Sequence, residues 1–314
     1  MRTQTVRFVK GHMGGNEIVL LDGERVPEGQ ELSVGLALLD PPNIRGHQGA
    51  LLYKGGGNRL RAKIISVSSR GFISSCGGLT QVLGKVLLET DFMRKFQLRI
   101  DKLPVEFELE TDAGDFTIII ENHNAKANRV ISVMTPFVEE CYHIGVTPME
   151  AAGVRVMKVG KVLVVDGDDL REVYPDVNLD QIDKATMKTL STVQQSFLAA
   201  EFPGQVGGDF AVYDLNPAHG RNGRVIFPHN ITAGHIEPSC GTGTVAVGIA
   251  VVESGKVSPD EGKLELAFES GGSSSAIGGP DVTELQLTVK DRRVTDARFS
   301  HSFVEIIATG EAWV

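Results

Sequence analysis

Two cysteine-centred segments, about half a chain apart, carry the residues best suited to chemistry in this sequence. The first contains Cys76, in Ser74-Ser75-Cys76-Gly77-Gly78-Leu79-Thr80-Gln81, and the second contains Cys240, in Glu237-Pro238-Ser239-Cys240-Gly241-Thr242-Gly243-Thr244. In both segments small residues follow the cysteine, and an apolar run that predicts a buried helix comes next. A thiol at a helix start lies beside unpaired backbone N–H groups and the positive end of the helix dipole, which favour the thiolate.

The same backbone N–H groups can bind a carboxylate. Two such helix starts that face each other would form a carboxylate-binding site with one thiol on either side. One thiol could then remove a proton from a carbon atom while the other protonates the opposite face. The third cysteine, Cys141, lies between Glu140 and Tyr142 without this context, and we predict that it is a small buried hydrophobic residue.

Length and composition restrict the class of protein. The chain has 314 residues, of which 41% are hydrophobic, and this allows two domains or one large domain with a real core. The formal net charge of -9 leaves no basic excess to neutralise phosphates, so we expect no nucleic-acid partner. No apolar run approaches the roughly 20 residues needed to span a bilayer, and Met1 to His12 lacks a signal-peptide core. We therefore expect a cytoplasmic protein with no membrane partner.

The elements predicted around the two cysteines occur in the same order in both halves of the chain. In the first half they are a strand pair over Thr5–Asp22 broken at Gly14-Gly15, a strand over Ala62–Val67, a helix over Cys76–Phe92, and strands over Gln97–Ile100, Val105–Glu110 and Phe116–Glu121. In the second half they are strands over 154–159, 162–166, 210–214 and 224–227, a polar helix over 180–197, a helix over 240–254, and strands over 264–268, 283–289, 294–300 and 303–308. Strands, a cysteine turn with a helix, and further strands therefore occur twice.

Both central helices carry apolar residues on nearly every face, which is typical of a buried helix. The simplest fold consistent with this is of the α/β (α+β) class, with two pseudo-symmetric domains that each wrap a β-sheet or barrel around a central helix. We predict an N-terminal domain over residues 1–135 and a C-terminal domain over residues 136–302. The last strand, within 303–314, is predicted to return to the first domain.

Three segments resemble the diaminopimelate epimerase and proline racemase superfamily, whose members are cofactor-independent racemases with two cysteines. Gly11-His12-Met13-Gly14-Gly15-Asn16-Glu17-Ile18 is similar to the N-terminal His-Gly-Leu-Gly-Asn-Asp segment of the epimerases, with Asn16 as the best-matched residue. Ser75-Cys76-Gly77-Gly78 lies where the family has its first catalytic cysteine. Cys240-Gly241-Thr242-Gly243-Thr244 resembles the second cysteine segment of proline racemases. The resemblance implies a diaminopimelate epimerase-like fold and suggests a homodimer.

Other positions depart from the family patterns. Epimerases of diaminopimelate have a Glu-Arg pair eight to nine positions before the second cysteine, where this chain has Ile231 and Thr232. The Asp-Arg-Ser-Pro segment of proline racemases is replaced by Ile236-Glu237-Pro238-Ser239. These differences argue against diaminopimelate and proline themselves as substrates, but they leave the two-thiol chemistry in place.

The resemblance also implies a role for each candidate residue. Cys76 and Cys240 would be the catalytic pair, one as a thiolate base and the other as a thiol acid. The backbone N–H groups that would bind the substrate carboxylate and stabilise the enediolate-like state belong to Gly77, Gly78, Gly241 and Thr242. Asn16 would contact the substrate carboxylate or amine, with closure of the Gly14-Gly15 turn as its alternative role. The candidates for reading the far end of the substrate, each with an equally good structural alternative, are His12, His235 and Glu237.

The predicted function is a cofactor-independent amino-acid racemase or epimerase that needs neither pyridoxal phosphate nor a metal. Its partner would be a small-molecule substrate with a carboxylate. One alternative keeps the fold but shifts a double bond in an unsaturated di- or tricarboxylic acid. A second alternative is a carboxylate-binding protein without turnover, which would have no need of two thiols at two helix starts.

Overall fold

The structure of the protein is a computed structural model that describes residues 5–98, 100–124, 127–180, 182–205, 207–215, 222–230, 235–257, 262–270 and 281–314. The chain divides into two compact units, Met1–Pro136 with Phe303–Val314, and Phe137–Ser302. Both units are mixed α/β structures with more strand than helix. Among the described residues, no helix combines the length and the apolar character needed to cross a membrane.

The first unit is built from the strands and helices that surround Cys76. Its described strands are β1 (Thr5–Met13), β2 (Asn16–Asp22), β3 (Gln48–Lys54), β4 (Arg59–Ser66), β5 (Gly71–Ile73), β6 (Val105–Thr111), β7 (Gly114–Asn124), β8 (Ala127–Val133) and, from the end of the chain, β18 (Val304–Trp313). Its helices are α1 (Glu31–Leu39) and α2 (Gly77–Glu89), and α3 (Thr135–Ile144) follows at the boundary between the units.

The second unit contains the elements around Cys240. Its described strands are β9 (Val146–Ala151), β10 (Val154–Val159), β11 (Val162–Asp166), β12 (Phe210–Asp214), β13 (Gly223–Asn230), β14 (His235–Glu237), β15 (Gly262–Ser270), β16 (Val282–Lys290) and β17 (Arg293–His301). Its helices are α4 (Gly167–Val173), α5 (Lys184–Glu201) and α6 (Gly241–Glu253).

The two units share one strand order. In the first, the strands pair in the order β18-β1-β2-β3-β4-β6-β7-β8, and the short β5 pairs with the end of β4. In the second, the order is β9-β10-β11-β12-β13-β15-β16-β17, and the short β14 pairs with β13. The final strand β18 thus has the place in the first unit that β9 has in the second.

The parallel pairs of each sheet explain why the helices lie where they do. Neighbouring strands are antiparallel except for β2–β3 and β4–β6 in the first unit, and β11–β12 and β13–β15 in the second. A parallel pair needs a crossover connection, which is usually a helix. In the first unit, the first crossover contains α1 and the second contains the central helix α2. In the second unit, the first crossover contains α4 and α5, and the second contains the central helix α6.

Both central helices are 13 residues long and begin directly after a cysteine. Helix α2 packs against β1, β2, β3, β7, β8 and β18, and α6 packs against β10, β11, β12, β16 and β17. Eight positions after each cysteine lies a glycine, Gly84 or Gly248, at which a strand side chain comes close to the helix. A Cβ atom built at either position would lie 2.5 Å from a strand side chain, that of Val130 or Leu285. The buried helix predicted for each half of the chain is therefore confirmed.

Two of the differences between the predicted elements and the structure have a clear physical reason. The strand predicted over Gln97–Ile100 is wrong at its described residues 97, 98 and 100, while residue 99 lies outside the described part. A short 3-10 turn over Phe92–Phe96 ends at Gln97, which has the left-handed conformation with φ 63°. That turn buries the rings of Phe92 and Phe96, which outweighs the local strand preference. The polar helix begins at Lys184 rather than near residue 180, because the Asp183 carboxylate accepts the Thr186 N–H at 2.7 Å and caps the helix.

Candidate active site

Cys76 is the residue that precedes the first turn of α2. Its backbone is extended, with φ −153° and ψ 112°, and its side chain is partly buried. Gly77 and Gly78 are buried and form the first two positions of the helix. The first N–H groups of a helix have no acceptor within the helix, so those of Gly77 and Gly78 belong to the set that can bind an anion.

A buried chain of hydrogen bonds fixes this helix start to strand β8. The Gln81 amide donates to Ser132 Oγ at 2.7 Å, and Ser132 Oγ lies 2.6 Å from Thr80 Oγ1, which donates to the Gly77 carbonyl at 2.7 Å. Because the Thr80 hydroxyl proton is used on Gly77, the Ser132 hydroxyl donates to Thr80. The donated protons therefore all point in one direction, from Gln81 through Ser132 and Thr80 to the Gly77 carbonyl. The Thr80 hydroxyl thus stabilises the start of α2.

Asn16 lies on the hairpin between β1 and β2. The two turn residues, Gly14 and Gly15, have φ values of 56° and 91°, which glycine adopts without strain. The Gly14 N–H donates to the Phe303 carbonyl at 2.8 Å, so the chain just before β18 holds the turn in place. The Asn16 side chain is 2% exposed, and its Oδ1 lies 3.1 Å from His47 Nδ1. His47 Nδ1 accepts the Glu17 N–H at 3.0 Å, so this nitrogen presents its lone pair toward the hairpin. Asn16 is thus buried in the hairpin, next to the imidazole of His47.

The same hairpin supports the start of α2. A Cβ atom built at Gly78 would lie 3.4 Å from Ile18 Cδ1 and 3.7 Å from Met13 Cε. Met13 is the direct pairing partner of Asn16. The structure therefore brings the segment of Asn16 together with the segment of Cys76 within the first unit.

His12 has contacts that stabilise the hairpin. Its Nδ1 accepts the Gly15 N–H at 3.2 Å, its ring meets that of Phe303 edge-on at 5.0 Å between centroids, and its Nε2 lies 3.9 Å from Glu305 Oε2. Of the two roles considered for His12, these contacts support the structural one.

Cys240 has the corresponding position before α6 in the second unit. Its backbone is extended, with φ −140° and ψ 116°, and its Sγ accepts the Gly243 N–H at 3.3 Å. Thr242 Oγ1 also lies 3.3 Å from the sulfur, and Thr244 Oγ1 donates to the Cys240 carbonyl at 2.7 Å. The two cysteines thus share a backbone conformation and a threonine four positions later that bonds to a carbonyl at the helix start.

Burial raises the pKa of the Cys240 thiol well above its ordinary value, and the carboxylates of Glu237 and Asp209 raise it further. The hydroxyl of Thr242 and the N–H of Gly243 lower that pKa, since both stabilise a thiolate. Burial is the largest of these effects. The helix start alone favours a thiolate, whereas burial and the two carboxylates of this unit favour the protonated thiol.

A histidine that the sequence analysis missed lies close to Cys240. His229 Nε2 is 3.7 Å from Glu237 Oε2, and the ligand atoms of His229, Glu237 and Cys240 all lie within 4.8 Å of one another. Residues two apart on a strand share a face, so His229 lies on the same side of β13 as Phe227, and their rings are 5.8 Å apart. The Phe227 ring in turn packs on Gly243, where a built Cβ would be 2.6 Å from Cε1. Strand alternation alone could have indicated the pair, but not its contact with α6.

Two further candidates, His235 and Glu237, lie on β14 just before the second cysteine. Glu237 is 9% exposed and ends β14. His235 begins the same strand, and only its backbone belongs to the described part of the protein. Ile231 and Thr232, where the diaminopimelate epimerases have their Glu-Arg pair, lie outside the described residues.

Cys141 is 2% exposed on α3, and burial raises the pKa of its thiol. A Cβ atom built at Gly160 would lie 3.2 Å from its sulfur. The prediction that Cys141 is a buried hydrophobic residue is therefore confirmed.

The sequence matches no protein-family model and no curated protein. Its fold, however, matches solved structures over the whole chain. A hydroxyproline epimerase from Agrobacterium vitis, solved with bound trans-4-hydroxy-L-proline, has a TM-score of 0.65 at 14% identity, over 100% of this chain and 92% of that one. A PhzF-family phenazine biosynthesis protein from Bacillus anthracis has a TM-score of 0.62 at 13% identity, over 100% of both chains.

A methylitaconate-delta-isomerase has a TM-score of 0.61 at 14% identity, over 100% of this chain and 96% of that one. Identities this low establish a common fold and leave the reaction open. The strand order repeated in the two units, each around a buried central helix, agrees with that common fold. The chain therefore has the diaminopimelate epimerase and proline racemase-like fold, as the three sequence segments predicted.

Proposed function

We propose that the protein is a cofactor-independent isomerase that uses Cys76 and Cys240 to move a proton on a carbon atom next to a carboxylate. The observation that carries this proposal is the duplication of the cysteine site. Each thiol precedes a buried helix of 13 residues, with an extended backbone and small residues after it. Neither fold stability nor simple binding requires a thiol at both of these equivalent positions.

The mechanism requires the two helix starts to lie on opposite sides of one bound substrate. A thiolate removes the proton from one face of the carbon, and the thiol of the other cysteine donates a proton to the opposite face. Both protons are then accounted for, and the configuration is inverted. The thiols would titrate as a coupled pair, so each apparent pKa would belong to the pair rather than to one cysteine.

The negative charge that develops on the substrate carboxylate would be stabilised by backbone N–H groups at the two helix starts. These belong to Gly77 and Gly78 on one side and to Gly241 and Thr242 on the other. Preorganised donors of this kind are worth most where charge develops in the transition state. Asn16, which is buried in the hairpin next to His47, is proposed to contact the same carboxylate or an adjacent amine.

Within this reaction class, we propose an amino-acid racemase or epimerase. The bound ligand of the hydroxyproline epimerase structure, which has the same fold, supports an amino acid as substrate. Glu237 and His235 are the proposed specificity residues near Cys240. A homodimer and a cytoplasmic location remain predictions, and sedimentation of the purified protein tests the first of them.

A second function is favoured by one of the structural neighbours. The methylitaconate-delta-isomerase shares the fold at a TM-score of 0.61, and its name describes the movement of a double bond. Abstraction of a proton next to a carboxylate followed by protonation at a different carbon would produce that outcome from the same site.

The experiment that tests the proposal is loss of the Cα–H signal by proton NMR in D2O, across a panel of L- and D-amino acids and hydroxyprolines. The reduced protein is used without added pyridoxal phosphate. We expect exchange with one substrate class, loss of exchange in Cys76→Ser and Cys240→Ser, and retention of exchange in Cys141→Ala, the matched control for a cysteine outside the site.

The other outcomes identify the alternatives. Exchange or double-bond movement in aconitate-like acids, with none in amino acids, would replace the racemase by the allylic isomerase. Thermal stabilisation by a carboxylic acid that survives both serine variants, with no exchange in the wild type, would contradict catalysis and indicate a binding protein.

A further inference from the structure

The polar cluster next to Cys240 contains the residue types of a transition-metal site. His229, Glu237 and Cys240 supply an imidazole, a carboxylate and a thiol, whose ligand atoms lie within 4.8 Å of one another. Zinc accepts all three kinds of ligand. The hydrogen bond that the imidazole accepts decides whether its second nitrogen can bind a metal or carries the ring proton.

The proton of His229 lies on the nitrogen that faces Glu237. The Phe210 N–H donates to His229 Nδ1 at 2.8 Å, so this nitrogen presents its lone pair to the backbone. In a neutral imidazole the proton is then on Nε2, which lies 3.7 Å from Glu237 Oε2. A metal on Nε2 would force the proton onto Nδ1, where it would point at the Phe210 N–H. The backbone of β12 therefore selects a donor at Nε2 and opposes a metal there.

The backbone around His229 is also held in place. The Gln194 amide on α5 donates to the His229 carbonyl at 3.0 Å and to the Gly208 carbonyl at 2.9 Å. Gln194 is 1% exposed, so these two bonds are shielded from water. They connect β13 with the segment that leads into β12, which carries Phe210. The orientation of the imidazole is thus set by three elements of the second unit.

Two carboxylates and one imidazole surround the Cys240 sulfur from neighbouring elements. Glu237 comes from β14, Asp209 from the segment before β12, and His229 from β13. Asp209 Oδ1 lies 4.0 Å from His229 Nδ1. A carboxylate near a thiol opposes its ionisation, whereas a neutral imidazole contributes no charge.

We propose that His229 is a positioning residue whose Nε2–H attracts the Glu237 carboxylate, 3.7 Å away, and keeps it beside Cys240. The functional consequence rests on the proposed two-thiol reaction. Cys240 would then be the thiol that donates a proton, and Cys76 the thiolate that removes one, in the first turnover. The duplicated site is in this sense asymmetric, because the acid is specified by the surroundings of the second cysteine.

The test is the pH dependence of iodoacetamide alkylation at Cys240, followed by mass spectrometry of its peptide in the full-length protein. In Glu237→Gln the carboxylate charge is removed, and we expect alkylation at pH 8 to rise about tenfold or more, because a nearby like charge shifts a pKa by about a unit or more. Cys141, 2% exposed, is the internal control for unfolding, because it reacts only if the structure opens.

Two substitutions of His229 separate its two nitrogen atoms. His229→Gln retains an amide N–H near the Nε2 position, and its alkylation profile is expected to stay close to that of the wild type. His229→Asn retains an acceptor for the Phe210 N–H but has no donor toward Glu237, and alkylation of Cys240 is expected to increase. In the Glu237→Gln background, His229→Asn should have no further effect, because His229 acts through that carboxylate.

Three results would overturn the proposal. They are an unchanged Cys240 profile in Glu237→Gln, an undiminished effect of His229→Asn in that background, or protection of Cys240 by micromolar Zn²⁺ that disappears in His229→Asn. The alkylation of Cys240 requires no turnover, so it tests the role of His229 even if the protein catalyses no deuterium exchange. If the protein does catalyse exchange but the alkylation profile is the same in all variants, only the positioning role of His229 is rejected.

Discussion

Replacement of Gly84 by alanine tests why a glycine lies in the middle of the first central helix. A Cβ atom built at this position lies 2.5 Å from Val130 Cγ1, 2.9 Å from Cγ2 and 3.3 Å from Cβ. Carbon atoms in contact normally stay about 3.5–4.0 Å apart. Val130 is β-branched and 7% exposed, and it lies on β8, so the side chain cannot turn away without a shift of the sheet.

Two opposing effects determine how much Gly84→Ala changes the free energy of unfolding. Alanine is a better helix former than glycine by about 1 kcal/mol. Overpacking of a buried site costs about 1–3 kcal/mol, and the two shortest contacts place Gly84→Ala at the upper end of that range. We therefore expect the free energy of unfolding to fall by about 2 kcal/mol, or about 4–8 °C in melting temperature for a unit of this size. Gly248→Ala should be milder, because the atom 2.5 Å from its built Cβ is the flexible end of Leu285.

Thermal unfolding followed by circular dichroism measures the effect. Gly56→Ala is the matched control, because nothing lies within 4 Å of a Cβ atom built at this exposed loop position. The double variant Gly84→Ala/Val130→Ala should be less destabilised than the sum of the two single changes, since the smaller side chain makes room for the new methyl group. A Gly84→Ala variant that melts at or above the wild-type temperature would refute the steric argument.

Three further predictions concern the two helix starts and the buried thiols. Ser132→Ala is expected to lower the free energy of unfolding by about 2 kcal/mol or more, because it leaves two buried polar groups without their partner, and a Ser33→Ala control on the exposed face of α1 should melt like the wild type. Cys141 and Cys240 have raised thiol pKa values in the folded protein. The unfolded chain therefore loses these protons more readily, so the stability present below about pH 8.5 should decline at higher pH, and urea unfolding of Cys141→Ala should show a shallower decline. Gly243→Ala, whose new methyl group would collide with an aromatic ring, should abolish deuterium exchange, and retained exchange would show that the packing at this helix start can relax.

Local patterns in the sequence were sufficient for the elements that carry the cysteines. Small residues followed by an apolar run predicted helices that start at Cys76 and Cys240, and the structure begins them one residue later. Strand alternation predicted Val154–Val159 and Phe210–Asp214 with their observed limits. These features depend on backbone preference and side-chain periodicity, which neighbouring residues along the chain specify.

The missed or incorrect predictions concern effects that act through space. At Gln97 the structure has the end of a turn instead of the predicted strand, because that turn buries two phenylalanine rings. The hydrogen-bonded chain that ends on Gly77 depends on Ser132, a residue of another strand with no distinctive sequence context. Nothing in the sequence indicated a role for His229, because a single histidine near a strand end is common in proteins.

The sequence by itself determined the kind of chemistry available: two thiols, each at the start of a buried helix, in two halves with the same order of elements. Only the tertiary structure decided the state of the second thiol. Burial of its sulfur and the carboxylates of Glu237 and Asp209 raise its pKa, and the pairing of β12, β13 and β14 brings the segments of these two carboxylates together. The charge that a thiol carries depends on solvent exclusion and on every charged group nearby, and the flanking residues supply only part of that environment.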